Sequence, residues 1–255
     1  MKSLRTSLRV LRAFTNDRSR WSVGELSSDL GLNKSLVSKT LREFQEAGFL
    51  RQDPRSREYT VGVQAVALGG QYMNESPLVR EAIVLMRRLT DRSDHTTALA
   101  ILDDVNVLYL VAVEGRLFLD VGWRVGTWLP FHATAVGKVL FAFADEPLLD
   151  RAIAEAGIKS LGPNTVRDAN ELRAQLQKVR KSGVGETREE SMPGLAAQAV
   201  PVFGEAQEVV AALGFVYPIH ILTPRKRKAY REMLHTAART LSAKLGAAVY
   251  PYGER

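Results

Sequence analysis

The sequence predicts an α+β protein with a small N-terminal helical domain, a linker helix and a larger C-terminal domain. Three observations support this class. Two short helical patterns flank Gly31, and a basic, hairpin-like segment follows at residues 49–62. Beyond residue 77, helical patterns are interspersed with strand-forming runs, which is typical of an α+β domain. A chain of 255 residues, of which 45 % are hydrophobic, is long enough to form both domains.

The first helix is predicted over residues 3–15. Apolar residues recur there at helical spacing, at Leu4, Leu8, Leu11 and Phe14 with Val10 beside them, and arginines occupy the outer side. The three leucines could serve the domain core, a contact between subunits, or both.

The second and third helices are marked by their ends. Ser22 and Glu25 form the signature of a capping box, and Gly31 ends the second helix. Asn33 can cap a third helix that Gly48 stops. Two strands are then expected at residues 49–52 and 57–62, joined by a turn at residues 53–56. This order predicts a winged helix-turn-helix domain.

The third helix has the two sides expected of a recognition helix. One side carries Leu36, Val37, Thr40, Leu41, Phe44 and Ala47. The other side carries Ser35, Ser38, Lys39, Arg42 and Glu46, with Lys34 at the amino-terminal flank. The first side is expected to pack on the preceding helices, and the second to enter the major groove of double-stranded DNA. Arg55 and Arg57 in the hairpin could reach the DNA backbone or minor groove. A solvated basic face is the alternative.

The charge distribution favours the same surface. The chain carries a net charge of +7, and residues 1–62 hold 12 Lys and Arg against 7 Asp and Glu. The excess therefore lies on the small domain, as expected where a protein contacts phosphate.

The rest of the chain is expected to form one further domain after the linker. A linker helix is predicted at residues 63–76, which sets domain limits of 1–62 and 77–250. Further helices are expected at residues 78–90, 134–143, 147–156, 172–182 and 224–245. Strands are expected at residues 95–102, 105–114, 117–123, 185–190, 195–203 and 209–216.

Several classes of protein are disfavoured by what the sequence lacks. There is no cysteine, which excludes disulfides, thiol nucleophiles and cysteine-based zinc sites. The four histidines have no metal-ligand spacing, and the chain has no phosphate loop or nucleophile elbow, so no metal, cofactor or catalytic site is expected. No signal peptide or run of about 20 apolar residues is found, so a cytoplasmic protein without membrane contact is expected.

Two blocks of the second domain resemble the IclR family of bacterial transcription regulators. Leu129-Pro-Phe-His-Ala-Thr-Ala-Val-Gly-Lys138 is similar to the family's His-Ala-Thr-Ala-x-Gly-Lys block. Residues 183–190 and 193–203 are similar to its Gly…Glu-Glu…Gly…Ala-x-Pro-Val block. The resemblance covers nearly the whole chain. It implies a GAF-like effector-binding domain, a small-molecule effector, and homodimers or tetramers on pseudo-palindromic operators. The alternative from another class is a DNA-tethered enzyme or a protein-binding scaffold without an effector.

The resemblance also implies the position of the effector pocket. Its floor is expected at Thr187, Ala197, Gly214 and Val216, of which three cannot donate a side-chain hydrogen bond. Aromatic and apolar residues are expected near the other wall, at Trp123, Trp128, Leu129 and Phe131. The helix that begins at Thr134 would favour a carboxylate through its positive end. An aromatic or otherwise larger acid fits this set, although the aromatic residues could equally belong to the core or to a subunit interface.

For two further features, a structural interpretation is favoured over a functional one. His132 could donate to an acidic effector, but a role in holding the turn before Thr134 is favoured. The basic run at residues 225–228 could touch DNA, but a solvated helix face is favoured.

Overall fold

The computed structural model describes residues 2–15, 18–116 and 124–253. The chain divides into two compact units, with the division between Ser76 and Pro77. The predicted strand at residues 117–123, including Trp123, lies outside the described residues. Within the described segments, no helix combines the length and the apolar character needed to cross a membrane.

The first unit has the predicted order of helices followed by a hairpin. Its described elements are α1 (Lys2–Arg12), α2 (Val23–Leu30), α3 (Lys34–Glu46), β1 (Leu50–Gln52), β2 (Tyr59–Val61) and α4 (Val63–Glu75). The predicted capping box is present, because the Ser22 hydroxyl accepts from the Glu25 N–H and the Glu25 carboxylate accepts from the Ser22 N–H. Gly31 ends α2 in the left-handed conformation.

Side chains from all three helices and the hairpin form the core of the first unit. Val10, Leu26, Val37 and Leu41 are completely buried. Trp21 exchanges two backbone hydrogen bonds with Tyr59, at 2.8 and 3.1 Å, which ties the segment before α2 to the hairpin. The core and this bridge fix the hairpin beside α3.

Two of the leucines in the α1 stripe do not serve this core. Leu4 is 65 % exposed and Leu8 is 50 % exposed, whereas Val10 and Phe14 are buried. The side of the helix that carries Val10 therefore faces the core, and the side that carries Leu4 and Leu8 faces away from it.

The helix α4 begins directly after Gly62, where the end of the hairpin passes close to the backbone of Gly48. A side chain at Gly62 would lie 2.3 Å from the carbonyl oxygen of Gly48, so only glycine fits there. No residue of α4 is buried, and Val63, Val66 and Leu68 are each at least 64 % exposed.

The second unit is built on an antiparallel sheet with the order β5-β4-β3-β8-β7-β6. Its strands are β3 (Thr96–Asp103), β4 (Asn106–Val113), β5 (Trp128–Leu129), β6 (Gly185–Arg188), β7 (Leu195–Phe203) and β8 (Val209–Pro218). Its helices are α5 (Pro77–Ser93), α6 (Ala135–Phe143), α7 (Glu146–Ala156), α8 (Ala169–Ser182) and α9 (Pro224–Lys244). Helices are thus interspersed with antiparallel strands, as predicted.

The two faces of the sheet are covered by different helices. On one face, Ala98, Ala199 and Ala212 share a hydrophobic core with α6, α7 and α8. On the other face, the Gln198 side chain donates to a backbone carbonyl of α9, and Thr97 is hydrogen-bonded to Thr90 of α5 at 2.8 Å.

Several details differ from the sequence-based prediction, including the end of α1 at Arg12 and the end of β6 at Arg188. The two-residue strand β5 was not predicted, because it is recognisable only through its pairing with β4. The helix α8 begins at Ala169 instead of residue 172, since Asp168 caps it. A 3-10 turn at Ile219–Ile221 separates β8 from α9.

Candidate functional site

The helix α3 presents a polar side, as its sequence predicts. Asn33 caps it, and Val37, Thr40 and Leu41 are its buried residues. On the opposite side Lys34, Ser35, Lys39 and Arg42 are exposed, and Ser38 is half-buried. The predicted apolar side is wrong in two places, because Leu36 is 42 % exposed and Ala47 is also exposed. Both lie near the ends of α3, where the supporting helices no longer cover it.

The start of α3 is rigid. The carboxamide oxygen of Asn33 accepts from the Ser35 N–H at 2.8 Å and from the Ser35 hydroxyl at 2.7 Å. Ser35 is therefore engaged in the cap, while its remaining lone pairs stay available. Ser38, one turn later, faces an open groove.

This groove joins α3 to the hairpin. Ser38 and Arg42 of α3 line it together with Gln52 and Arg57 of the hairpin and with the start of α2. The Gln52 carboxamide donates to the Arg57 carbonyl at 2.9 Å and thereby supports an unusual backbone, since Arg57 has a φ of 61°. We call residues 50–61 the wing.

The tip of the wing is held by Asp53. Its carboxylate accepts from the Arg55 N–H at 2.7 Å and from the Ser56 N–H at 3.0 Å. These two backbone donors lower the pKa of Asp53, so the carboxylate stays ionised and the turn stays closed. Arg55 and Arg57 are both exposed.

A second candidate site is a narrow cavity in the second unit, between the first turn of α6 and the sheet. Residues from eight of the described elements or turns line it: Ala98, Tyr109, Leu129, Thr134, Ala135, Val136, Thr187, Ser191, Leu195, Ala197, Gln198, Gly214, Phe215 and Val216. No charged side chain occurs in this lining.

Six of the eight residues that the sequence placed at an effector pocket line this cavity: Leu129, Thr134, Thr187, Ala197, Gly214 and Val216. The strand register brings Thr187, Ala197 and Val216 side by side across β6, β7 and β8.

The other two predicted residues lie elsewhere. Trp128 is half-buried in β5, and Phe131 is buried in the core, where its ring contacts Phe141 at 5.0 Å between centroids. Neither lines the cavity. Trp128 precedes Leu129 in the extended strand β5, where successive side chains point in opposite directions, so Leu129 and not Trp128 faces the cavity. Phe131 lies beyond the end of β5, where this alternation no longer applies.

The floor of the cavity depends on a close approach between strands at Gly214. A side chain there would come within 2.7 Å of the Gln198 carbonyl oxygen. Gly214 therefore allows β7 and β8 to pack closely and leaves the floor flat and apolar beside Ala197.

The first turn of α6 supplies the polar end of the cavity. The Thr134 hydroxyl caps the helix by accepting from the Gly137 N–H at 3.2 Å, and it donates to the Pro130 carbonyl at 2.8 Å. The N–H groups of Ala135 and Val136 lie in the first turn, where helical carbonyl partners do not exist. They and the helix dipole make this end of the cavity electropositive without a cation.

Two hydroxyl-bearing residues of the wall were missed by sequence reasoning. Tyr109 comes from β4, and burial raises the pKa of its phenol to about 12, so it stays protonated and can donate. Ser191 comes from the turn between β6 and β7. Neither carries a local sequence signal, because only the folding of distant segments brings them to Thr134.

His132 takes the structural role. It is buried, lies outside the cavity lining, and its Nε2 is 2.8 Å from the Lys159 carbonyl oxygen. Burial lowers its pKa. Across the part of the chain that the structure describes, no cluster of His, Cys, Asp or Glu has the geometry of a metal site.

The basic run at residues 225–228 lies on the exposed first turn of α9. Arg227 is not free there, because its guanidinium binds the Glu186 carboxylate of β6, with one contact at 2.9 Å. Part of this run therefore stabilises the sheet edge.

Sequence models of one family match both units of the chain. The model described as IclR helix-turn-helix domain matches residues 3–54, and the one described as Bacterial transcriptional regulator IclR C-terminal matches residues 70–243. The chain is 31 % identical over 243 residues to the HTH-type transcriptional regulator KdgR of Dickeya chrysanthemi, covering 95 % of this chain and 79 % of that protein. It is 30 % identical over 250 residues to the HTH-type transcriptional regulator XynR of Escherichia coli, covering 96 % and 98 %.

Solved structures share the fold. A crystal structure of an IclR transcriptional regulator from a Silicibacter species matches with a TM-score of 0.87 at 26 % identity, covering 99 % of this chain and all of that one. An IclR homolog from Microbacterium hydrocarbonoxydans, solved with 4-hydroxybenzoate, matches with a TM-score of 0.78 at 24 % identity, covering 95 % and 98 %.

These matches confirm the predicted fold class, with an N-terminal helix-turn-helix domain followed by an α+β effector-binding domain. The named relatives are regulators, which confirms that the chain is a DNA-binding regulator and not an enzyme. This protein belongs to the IclR family of bacterial transcription regulators.

Proposed function

We propose that this regulator binds operator DNA through α3 and the wing, and that a small organic acid bound in the cavity changes its operator affinity. The observation that carries the acid proposal is the composition of the cavity wall. It combines the electropositive first turn of α6 with hydroxyl donors at Tyr109, Thr187 and Ser191. No carboxylate lies in the described lining to repel an anion.

The rest of the ligand is expected to be apolar. Ala197, Gly214 and Val216 form a floor that offers no side-chain donor, so hydroxyl groups of a sugar acid would lose hydrogen bonds there. An aromatic or branched acid suits this floor. Because the cavity is narrow, an aromatic ring would enter only if the walls move apart, and such a movement is what an effector needs in order to favour one conformation over another.

The DNA contacts are assigned to seven residues. Lys34, Ser35, Ser38, Lys39 and Arg42 are the proposed contacts on α3, and Arg55 and Arg57 are those on the wing. Ser38 and Arg42 share a groove with Arg57, which places hydroxyl and cationic donors from both elements on one surface. Hydroxyl groups near the start of the helix suit base edges, and the cations suit phosphates.

The proposal includes a dimer or tetramer on a pseudo-palindromic operator. One winged helix contacts one half-site, so a two-fold dimer is needed for two. Leu4 and Leu8 support this, because they are exposed large apolar side chains on α1 that the domain core does not use. Val63 and Val66 of α4 are exposed in the same way.

Thermal stability with paired ligands tests the acid site. A ligand that binds only the folded protein raises its stability by about 2.7 kcal/mol at a hundred times its Kd. We expect 4-hydroxybenzoate, or another small carboxylate from a panel, to raise the melting temperature, and the matching primary amide to do so less. Equal shifts by acid and amide would contradict the acid site, as would no shift by any carboxylate.

Operator DNA, selected from random duplexes by binding to the protein, then tests the regulation. The anisotropy of the labelled duplex is expected to change when the same acid is added. An acid that binds without altering operator affinity would contradict the regulatory half of the proposal, because it would have equal affinity for both conformations.

A further inference from the structure

Lys138 and Glu190 form a buried ion pair beside the effector cavity. The Lys138 ammonium is 2.5 Å from the Glu190 carboxylate and 2.6 Å from the Gln175 carboxamide oxygen. The two charged side chains are 2 % and 10 % exposed. In every other ion pair between described residues, at least one side chain is 45 % exposed or more.

The pair joins two walls of the cavity. Lys138 lies on α6 one turn after Thr134, whose turn supplies the electropositive end. Glu190 lies in the turn 189–194, which supplies Ser191 to the opposite side of the lining. Among the hydrogen bonds and ion pairs between described residues, this pair is the one that connects α6 to the turn.

The turn 189–194 has further hydrogen bonds to other segments, including Asn164 N–H to the Glu189 carbonyl at 3.2 Å and Ile219 N–H to the Gly194 carbonyl at 2.8 Å. The Glu189 N–H donates to the Leu195 carbonyl at 2.7 Å, and the Gly194 N–H donates to the Glu189 carboxylate at 2.9 Å. Glu189 has a φ of 56°, which is unfavourable for a residue other than glycine. The Glu190 carbonyl accepts from the Thr165 hydroxyl. None of these bonds reaches α6, so the distance between α6 and the turn is set by the Lys138–Glu190 pair.

A gain in folding stability does not explain why these two positions carry a buried ion pair. Removing two charges from water costs about as much as their attraction returns, and well-packed apolar side chains of similar size are often equally stabilising. What an ion pair adds over apolar packing is a fixed distance and direction between the two atoms.

We infer that the Lys138–Glu190 ion pair is a positioning device, which fixes the distance between the first turn of α6 and the turn 189–194 and thereby sets effector affinity. This inference rests on the proposed function of the cavity. Its structural half, the fixed position of the turn, is independent of any ligand.

The test replaces both charges at once, in a Lys138→Met/Glu190→Leu variant that leaves no unpaired charge behind. Hydrogen exchange of the free protein is measured for the amides of Glu189 and Gly194. We expect at least about tenfold faster exchange there, with exchange in β3 and α9 unchanged. Unchanged exchange in the turn would overturn the inference.

Effector affinity supplies the second measurement, with 4-hydroxybenzoate and the same carboxylate panel as probes. We expect the variant to bind the best wild-type acid at least about tenfold more weakly. The control is Ser242→Ala, because Ser242 is buried and bonds the Phe203 N–H at 2.9 Å, on the α9 face of the sheet. It should lower stability without changing acid affinity or exchange in the turn.

The two measurements separate the two ideas. If the turn exchanges faster but no acid binds even to the wild type, the acid proposal fails while the positioning of the turn stands. If the turn exchanges faster and the acid binds as tightly as before, the pair does not set effector affinity and the inference is overturned.

Discussion

A single substitution at Ala197 can show whether the cavity binds an anion. Ala197 lies in β7, is half-buried and lines the cavity between Thr187 on β6 and Val216 on β8. Ala197→Asp places a carboxylate at the floor of the cavity. Ala197→Asn introduces an amide of nearly the same shape, so the difference between the two variants isolates the negative charge.

The magnitude follows from the repulsion between the new carboxylate and the carboxylate of the ligand. At about 4 Å, two unit charges interact by about 1 kcal/mol in bulk water and by about 4 kcal/mol at the effective dielectric of about 20 that suits protein sites. With about 1.4 kcal/mol per tenfold change, the Asp variant should bind an acid roughly fivefold to a thousandfold more weakly than the Asn variant.

The pH dependence of this difference adds a second check. Burial and a second negative charge nearby both raise the pKa of a carboxylate, so the introduced Asp side chain or the ligand takes up a proton more readily. The gap between the two variants should therefore shrink as the pH is lowered from 8 to about 5. A gap that is independent of pH would point to shape, not charge, as its cause.

The assay is a titration of each variant with the best wild-type acid, followed by the anisotropy of labelled operator DNA. Ligand-free DNA binding should be unchanged in both variants, because Ala197 lies in the second unit and the proposed DNA contacts lie in the first. If Ala197→Asp responds to the acid like Ala197→Asn, the ligand binds elsewhere and the reasoning from the cavity is refuted.

Three further predictions concern other parts of the chain. Ser38→Ala should weaken binding to the operator by about 1 kcal/mol and leave random DNA unaffected, whereas Lys39→Ala should weaken both and reduce the salt dependence by about one ion; equal losses for the two variants on both DNAs would contradict this division. Light scattering at micromolar concentration should give a multiple of the 28.2 kDa chain mass, and a Leu4→Asp/Leu8→Asp variant should shift it towards monomer. Burial lowers the pKa of His235 from 6.5 to about 4, so the unfolded chain binds its proton first and stability should fall by on the order of 2 kcal/mol as the pH drops from 6.5 to 4. A His235→Gln variant measured by chemical denaturation should lose that part of the pH dependence.

The ends of helices could be predicted because their causes are local. Ser22 with Glu25, and Thr134 with Gly137, satisfy free N–H groups within three residues, so a short window of sequence contains the whole interaction. The order of elements followed from the same signals. The two-residue strand β5 did not, because nothing but its partner β4 defines it.

Burial at the ends of apolar stripes could not be predicted. Leu8 and Leu36 fit the apolar side of their helices, yet both are largely exposed. Helical periodicity states which side of a helix is apolar, but not how far the neighbouring elements cover it.

Part of the cavity lining could be predicted from the sequence through the family resemblance. Ala197, Gly214 and Val216 come from two strands that pair in register, so a resemblance covering both strands places them together. Tyr109 and Ser191 reach the same cavity from segments about eighty residues apart, without a shared motif. Charge pairing across such a distance, as between Lys138 and Glu190, is equally invisible in a local pattern.

The arrangement of the cavity separates two tasks that a regulator of this kind must perform. In the proposed site, attraction for an acid would come from the backbone of α6, since helix dipoles and first-turn N–H groups do not depend on side-chain identity. Preference among acids would depend on the side chains of β7 and β8, where Ala197 and Val216 line the floor. Substitutions on these strands should therefore change which acid binds while anion binding persists. Loss of the Thr134 cap should instead weaken all acids together, because the cap orients the shared part of the site.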